Sequence, residues 1–182
     1  RREKDQLVAR AERDSLTGLL NSETTRLRIG QQLDALAGGE RGALLVVDVD
    51  CFKDVNDTHG HLVGDLVLAD IVRILRENFR IGDVVGRLGG DEFMVYLDRV
   101  GSTDVVLGKC DRLRRAVERH EYPGTDCRAT ISVGVVLAHA GDTFDDLYGR
   151  ADEALYAAKR DGRNRCGLAD GALRSPKAAP AP

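Results

Sequence analysis

Arg87-Leu88-Gly89-Gly90-Asp91-Glu92-Phe93 is flanked on both sides by strand-forming residues, Val84 and Val85 before it and Met94, Val95, Tyr96 and Leu97 after it. Two glycines between two such runs read as a tight β-hairpin, because glycine takes positive φ without steric penalty. Asp91 and Glu92 then stand at the hairpin tip. Bare backbone beside paired carboxylates suits a phosphate chain and its divalent cation: glycine lets a phosphate approach, and carboxylate oxygens bind Mg²⁺. An ordinary hairpin with solvated acids has the same local pattern, so the surrounding chain must decide between the two.

Working outward, Ala43 to Val47 is a near-continuous apolar run, hence a buried strand, and it leads into Asp48-Val49-Asp50. Alternation puts Asp48 and Asp50 on one face. A carboxylate ending a buried strand is costly unless it meets a cation or donors. Leu66, Ala69, Val72, Leu75 and Phe79 recur at helical spacing, as do Val106, Cys110, Leu113 and Val117. Thr130 to Leu137 reads as a strand. Thr143-x-x-Asp146 opens a further helix that Gly162 can end, and residues 23–37 read as a helix stopped by Gly38-Gly39. The core order is strand, helix, strand, strand, helix, strand, helix. The first six match the βαββαβ ferredoxin-like arrangement of an α+β sandwich. In such a sheet the first and third strands are neighbours, which brings Asp48 toward Asp91 and Glu92. Three acids with no His or Cys pair nearby suit a hard cation, Mg²⁺ or Mn²⁺.

The chain has 182 residues, enough for one well-buried domain with appendages, and a net charge of −3, which implies no pull toward nucleic acid or an anionic membrane. No apolar run approaches a membrane span, and no signal-peptide core is present at the N-terminus. The first residue is Arg1, so the chain is read as a piece of a longer protein. Cys51, Cys110, Cys127 and Cys166 form no Cys-x-x-Cys pair, which argues against zinc and is read as four free thiols in a cytoplasmic protein. Residues 1–13 carry Leu7, Val8 and Ala11 among charges. They read either as a stalk helix seeking a partner or as a solvated helix end. Residues 14–168 form the domain, and the Ala- and Pro-rich residues 169–182 read as a disordered tail.

The segment Cys51 to Asp57 and the glycines Gly60 and Gly64 read as polar turns leading into the helix near Leu62. Asn56 and Asp65 can face one pocket. A carboxylate accepts two parallel hydrogen bonds, which matches the N1–H and 2-amino donors of guanine and mismatches adenine. On its own Asp65 is equally a helix cap.

Here the chain resembles the GGDEF domain of the diguanylate cyclase family. The matching stretches are Asp14-Ser15-Leu16-Thr17-Gly18-Leu19-Leu20-Asn21, Asp48 to Asp57, Gly60-His61 with Gly64-Asp65, Gly89 to Phe93, and Ala151 to Lys159 followed by Gly162-Arg163-Asn164-Arg165. The resemblance covers roughly residues 10–168, and five ordered matches leave little room for chance. It implies an enzyme that condenses two GTP into cyclic di-GMP with release of two pyrophosphates. Each domain holds one GTP, and two domains face each other as a homodimer. It further implies that Asp48, the Val49 carbonyl, Asp91 and Glu92 hold Mg²⁺ or Mn²⁺, with Asp91 and Glu92 catalytic and Asp91 the base for the attacking ribose 3′-hydroxyl. Phe52, Lys53, Asn56, His61, Asp65, Gly90, Lys159 and Arg163 are the substrate-binding positions. Asn56 and Asp65 correspond to guanine contacts, and Lys53, Lys159 and Arg163 to a phosphate clamp. Lys159 and Arg163, four apart, are expected on one side of a helix end.

Arg80-Ile81-Gly82-Asp83 sits where the family carries an Arg-x-x-Asp inhibitory site, at which product binds; as bare sequence it is also a common surface ion pair. Two departures are visible. Ser22 stands where the family usually has Arg, and Cys51 stands at a position often apolar or aromatic. The intact acids favour a product-inhibited cyclase over an inactive cyclic di-GMP sensor, and Asp65 argues against relaxed base choice. The resemblance also implies an upstream sensory or receiver domain in the full-length protein.

Overall fold

A computed structural model describes residues 11–169. Its elements are α1 (Ser22–Asp34), β1 (Arg41–Val49), α2 (Phe52–His59), α3 (His61–Asn78), β2 (Val84–Gly89), β3 (Glu92–Leu97), α4 (Thr103–Arg119), β4 (Ile131–His139), α5 (Phe144–Arg160) and β5 (Cys166–Leu168). The five strands lie in the order β2-β3-β1-β4-β5. β1 is antiparallel to β3 and to β4, and β5 adds a short parallel edge to β4. The first four strands thus keep the ferredoxin-like order expected from the sequence.

Strand β1 is the axis of the molecule. Arg41 alone is exposed, and the eight residues after it are buried, as a central strand covered on both faces requires. Ala43, Leu45, Val47 and Val49 enter one core with Ile71, Leu75, Leu113 and Val117 of α3 and α4. Leu44 and Val46 enter a second core with Ile29 and Leu33 of α1 and Leu147 and Leu155 of α5. The α3/α4 face is that of a plain ferredoxin-like layer. The other face is covered by α1 and α5, which makes three layers.

The helix starts follow their sequence signals. The Asn21 side chain caps α1 by accepting from the Thr24 amide at 2.9 Å, and Thr143 caps α5 by accepting from the Asp146 amide at 3.3 Å. α5 buries Ala151, Ala154 and Ala158 between its larger residues, so its backbone comes close to β4.

Three expectations need correction. The segment from Phe52 to His59 is a helix, not a run of turns; only Val55 of it is buried, so no apolar period announced it. β5 was not anticipated, because three residues with a central glycine carry no strand pattern. The four cysteines are not all free: Cys110 of α4 is bonded to Cys166 of β5 across a Cα–Cα distance of 6.5 Å, while Cys51 and Cys127 are unpaired. A sequence separation of 56 hides a proximity created by packing α4 over β4 and β5. The cytoplasmic placement argued from free thiols loses that support. The expected stalk helix falls almost wholly, and the expected tail mostly, outside the described residues.

Candidate active site

The acids gather at one end of β1. Asp48 lies directly opposite Glu92 in the β1–β3 register, and the Val49 amide donates to the Asp91 carbonyl at 3.2 Å. The hairpin supplies the rest of this edge: Gly89 and Gly90 both take positive φ, at 148° and 53°, so the turn depends on the absence of a side chain. Asp48 is only 7% exposed, whereas Asp91 and Glu92 are half-buried. Burial pushes the Asp48 carboxyl above its ordinary range. Lys159 pulls it back, and the negative fields of Asp91 and Glu92 push it further up. Those two fields place the three acids within electrostatic reach of one another. No three acid or His/Cys side chains are already closed around one point among the described residues.

The positive charge at Asp48 comes from α5: Lys159 Nζ is 2.8 Å from Asp48 Oδ1. An ammonium sits against the acid that the sequence assigned to a cation, so the donor set suits a hard positive ion. Arg163 lies beyond the end of α5, at φ 60° in a turn, and is exposed. Its relation to Lys159 is therefore set by that turn, which corrects the expectation that helical spacing would align the two.

On the other side of the site, Cys51 at φ 54° turns the chain sharply from β1 into α2. Asn56 of α2 rests against Gly64 in the first turns of α3. A Cβ at Gly64 would lie 1.9 Å from Asn56 Oδ1 and 3.3 Å from Phe52 Cζ. Phe52, Asn56 and the backbone next to Asp65 are thus brought together. Asp65, His61 and Lys53 are exposed around them. Asp65 lies beyond the first residues of α3, whose cap position Gly60 has no side chain to offer.

Arg87 ties the glycine turn to the segment before α1. Its Nε donates to the Gly90 carbonyl at 3.1 Å and its Nη1 to Asp14 Oδ1 at 2.9 Å. Asp14 also accepts from the Thr17 hydroxyl at 2.6 Å and the Thr17 amide at 2.9 Å. The segment Asp14 to Asn21 therefore braces the glycine turn from behind. The signals in the sequence were an Arg two residues before the Gly-Gly pair and the Asp14 to Asn21 stretch.

Asp50 differs from Asp48 despite their shared alternation. Its carboxylate accepts from Thr130 Oγ1 at 2.7 Å, Ser132 Oγ at 2.6 Å and the Asn164 amide at 3.0 Å. Away from this end, Arg80 Nε is 3.2 Å from Asp83 Oδ1, the Arg80 amide donates to Asp83 Oδ2 at 3.1 Å, and Arg80 Nη2 donates to the Asp98 carbonyl. The Asp83 side chain is 1% exposed and that of Arg80 61%. A hollow of about 560 Å³, lined in part by Arg28, Gln32, Ile81 and Asp83, adjoins that turn at the far end of β2 from the glycine pair.

A layered βαββαβ sheet with acids at the hairpin end of β1, and Phe52 and Asn56 packed against Gly64 beyond them, defines a nucleotide-cyclase type of domain. The chain belongs to the GGDEF family: the family model described as diguanylate cyclase, GGDEF domain, matches residues 11–165. It is 39% identical over 166 residues to the diguanylate cyclase DgcM of Escherichia coli strain K12, covering 91% of this chain and 40% of that protein. It is 37% identical over 139 residues to diguanylate cyclase A of Treponema denticola, covering 75% and 37%. The chain thus spans about two-fifths of the curated relatives' length. Among solved structures it resembles the coiled coil and GGDEF domain of DgcB from Caulobacter crescentus in complex with c-di-GMP, at a TM-score of 0.85 and 30% identity over 92% of this chain and 91% of that one. It also resembles the diguanylate cyclase SiaD from Pseudomonas aeruginosa in complex with its activator SiaC, at 0.81 and 37% over 92% and 66%.

Proposed function

We infer that this domain condenses two GTP molecules into cyclic di-GMP, releasing two pyrophosphates. One observation carries the reading: Asp48 meets Lys159 within the field of Asp91 and Glu92, at the hairpin end of a GGDEF fold. Each domain binds one GTP, with Asn56 and Asp65 accepting from the guanine donors and Phe52 and His61 beside the nucleoside. The open backbone at Gly90 admits the phosphates, and Lys53, Lys159 and Arg163 neutralise them. Asp91 accepts the proton of the 3′-hydroxyl. That oxygen bonds to the α-phosphorus of the GTP on the facing domain, and the bond to pyrophosphate breaks. A second transfer in the opposite sense closes the ring, so the working species is a symmetric homodimer.

Asp48, the Val49 carbonyl, Asp91 and Glu92 would hold Mg²⁺ or Mn²⁺. The chemistry such an ion supplies is positive charge against the phosphate oxygens and a lowered proton affinity at the nearby hydroxyl.

The same reading assigns product inhibition to Arg80 and Asp83. The exposed Arg80 guanidinium presents paired donors to guanine O6 and N7, while Asp83 already holds the turn in shape. The length of the relatives beyond the matched region favours an attached sensory or receiver domain. No described helix is long and apolar enough to cross a membrane. The GTP substrate of this reading favours a cytoplasmic domain.

The test is chromatography of nucleotides after incubating concentrated, nucleotide-free protein with GTP and Mg²⁺, beside Asp91→Ala. Cyclic di-GMP from the parent alone supports the cyclase. Absence of product from a verified dimer that still binds cyclic di-GMP refutes it in favour of a sensor.

A further inference from the structure

We propose that Asp50 is a positioning residue for the phosphate clamp: its buried carboxylate fixes the turn after α5 and so aims Arg163 at the triphosphate. This rests on the reading of Arg163 as a clamp residue.

Asp50 is 7% exposed, and its carboxylate takes up three uncharged donors. Two, Thr130 Oγ1 and Ser132 Oγ, belong to β4 or the residue before it and are fixed by the sheet. The third is the backbone amide of Asn164 in the clamp turn. A carboxylate on a backbone N–H is a charge-assisted bond, stronger than a neutral one, and burial strengthens it further. Asp50 therefore couples the clamp turn to the sheet that carries Asp48.

The turn needs such a hold. Arg163 and Asn164 are consecutive non-glycine residues in the left-handed region, at φ 60° and 46°, a backbone state that persists only where surrounding contacts over-determine it. Those contacts come from several sides. The Arg163 amide donates to the Ala158 carbonyl at 3.0 Å, and the Arg165 carbonyl accepts from the Val133 amide at 2.9 Å. The Asn164 side chain is gripped by α4, donating to Glu118 Oε1 at 2.6 Å and accepting from Arg114 Nη1 at 2.9 Å. Every polar group of Asn164 named here is spent on holding the turn. The Arg163 side chain, by contrast, is exposed and hydrogen-bonds to no described residue, which leaves its guanidinium for a ligand. Of these holds, only Asp50 extends directly from the strand end that carries the acids, two residues from Asp48.

The test uses the whole 182-residue chain and a double-mutant cycle. Affinities are measured for GMP and for a GTP analogue with methylene between the α- and β-phosphorus, which cannot lose pyrophosphate. The parent should prefer the triphosphate, and Arg163→Ala should lose much of that preference. Asp50→Ala should reduce the preference about tenfold with GMP affinity unchanged, and should have no further effect in the Arg163→Ala background. Asp50→Asn, which keeps an acceptor oxygen, should restore most of the loss. Equal falls for GMP and the analogue, an unchanged preference in folded Asp50→Ala, or an undiminished effect without Arg163 would each overturn the proposal. If Asp50→Ala does not fold, Asp50→Ser is read in the same cycle with the same expectations. Its hydroxyl takes the place of the carboxyl carbon and so stops about one bond short of Asn164, as of Thr130 and Ser132. Should the parent show no preference for the triphosphate, or Arg163→Ala retain it, the clamp reading itself fails, and this is seen before any Asp50 variant is made.

Discussion

Lys159 Nζ lies 2.8 Å from Asp48 Oδ1, so α5 supplies the counter-charge to the acid at the end of β1. Replacing Lys159 with Ala leaves a nearly buried carboxylate facing two other acids. Loss of its charge from the pyrophosphate should lower kcat/KM for GTP by roughly a hundredfold. Steady-state kinetics of Lys159→Ala against Lys159→Arg measures this.

Asp48 also gives the site a pH dependence of definite sign. Burial holds its pKa above the ordinary 3.8, so the folded, ligand-free domain binds this proton more readily than the unfolded chain. Its contribution therefore favours the fold at low pH and is lost as pH rises through the raised value. A divalent cation needs the ionised form and reverses the trend. The thermal stabilisation by Mg²⁺ should grow from about pH 4 to pH 7, as differential scanning calorimetry would record, and this growth should vanish in Asp48→Asn.

Asp14 behaves in the opposite sense. Burial acts to raise its pKa, but the bonds from Thr17 and Arg87 outweigh it and hold the carboxyl below 3.8. The stability it contributes is present above the unfolded value and lost as pH falls through the lower folded one. Arg87→Leu should cost about 1–3 kcal/mol in urea unfolding at neutral pH, because Asp14 loses a charged partner. It should also lower turnover, because the Gly90 turn loses its brace.

Gly64→Ala separates stability from binding. In a helix interior Ala is favoured over Gly by about 1 kcal/mol, yet the new methyl would fall 1.9 Å from Asn56 Oδ1. The Asn56 amide must turn away. Expected is a tenfold or greater rise in KM for GTP with a melting temperature near that of the parent.

The bond between Cys110 and Cys166 predicts a thiol count. Alkylation of the denatured, unreduced chain should label Cys51 and Cys127 and leave the other two unlabelled until reductant is added. Closing a loop of this size should stabilise the domain by about 2–4 kcal/mol, read as the difference between oxidised and reduced unfolding curves.

What could be read in advance follows physical strength of signal. β1 was legible because a strand buried on both faces must be apolar throughout, and the hairpin because its glycines adopt φ values that other residues avoid. The nearness of Asp48 to Glu92 followed from strand order alone. Helix α2 was not legible, since one buried residue makes no period, and β5 was too short to show one. The Arg163 placement failed because the helix ends at Arg160 and a left-handed turn intervenes. Asp48 and Asp50 read alike because they share a strand face, while their different partners come from β4 and from the segment after α5.

The pairing of Asp48 with Lys159 also orders events during synthesis. β1 emerges from the ribosome before β4 and α5, which flank and neutralise it. Long-range pairings of this kind form late and slowly. A nascent chain halted before α5 exposes Asp48 without the Lys159 ammonium. On the clamp reading proposed above, a grip on triphosphate follows only once α5 and the turn after it have docked.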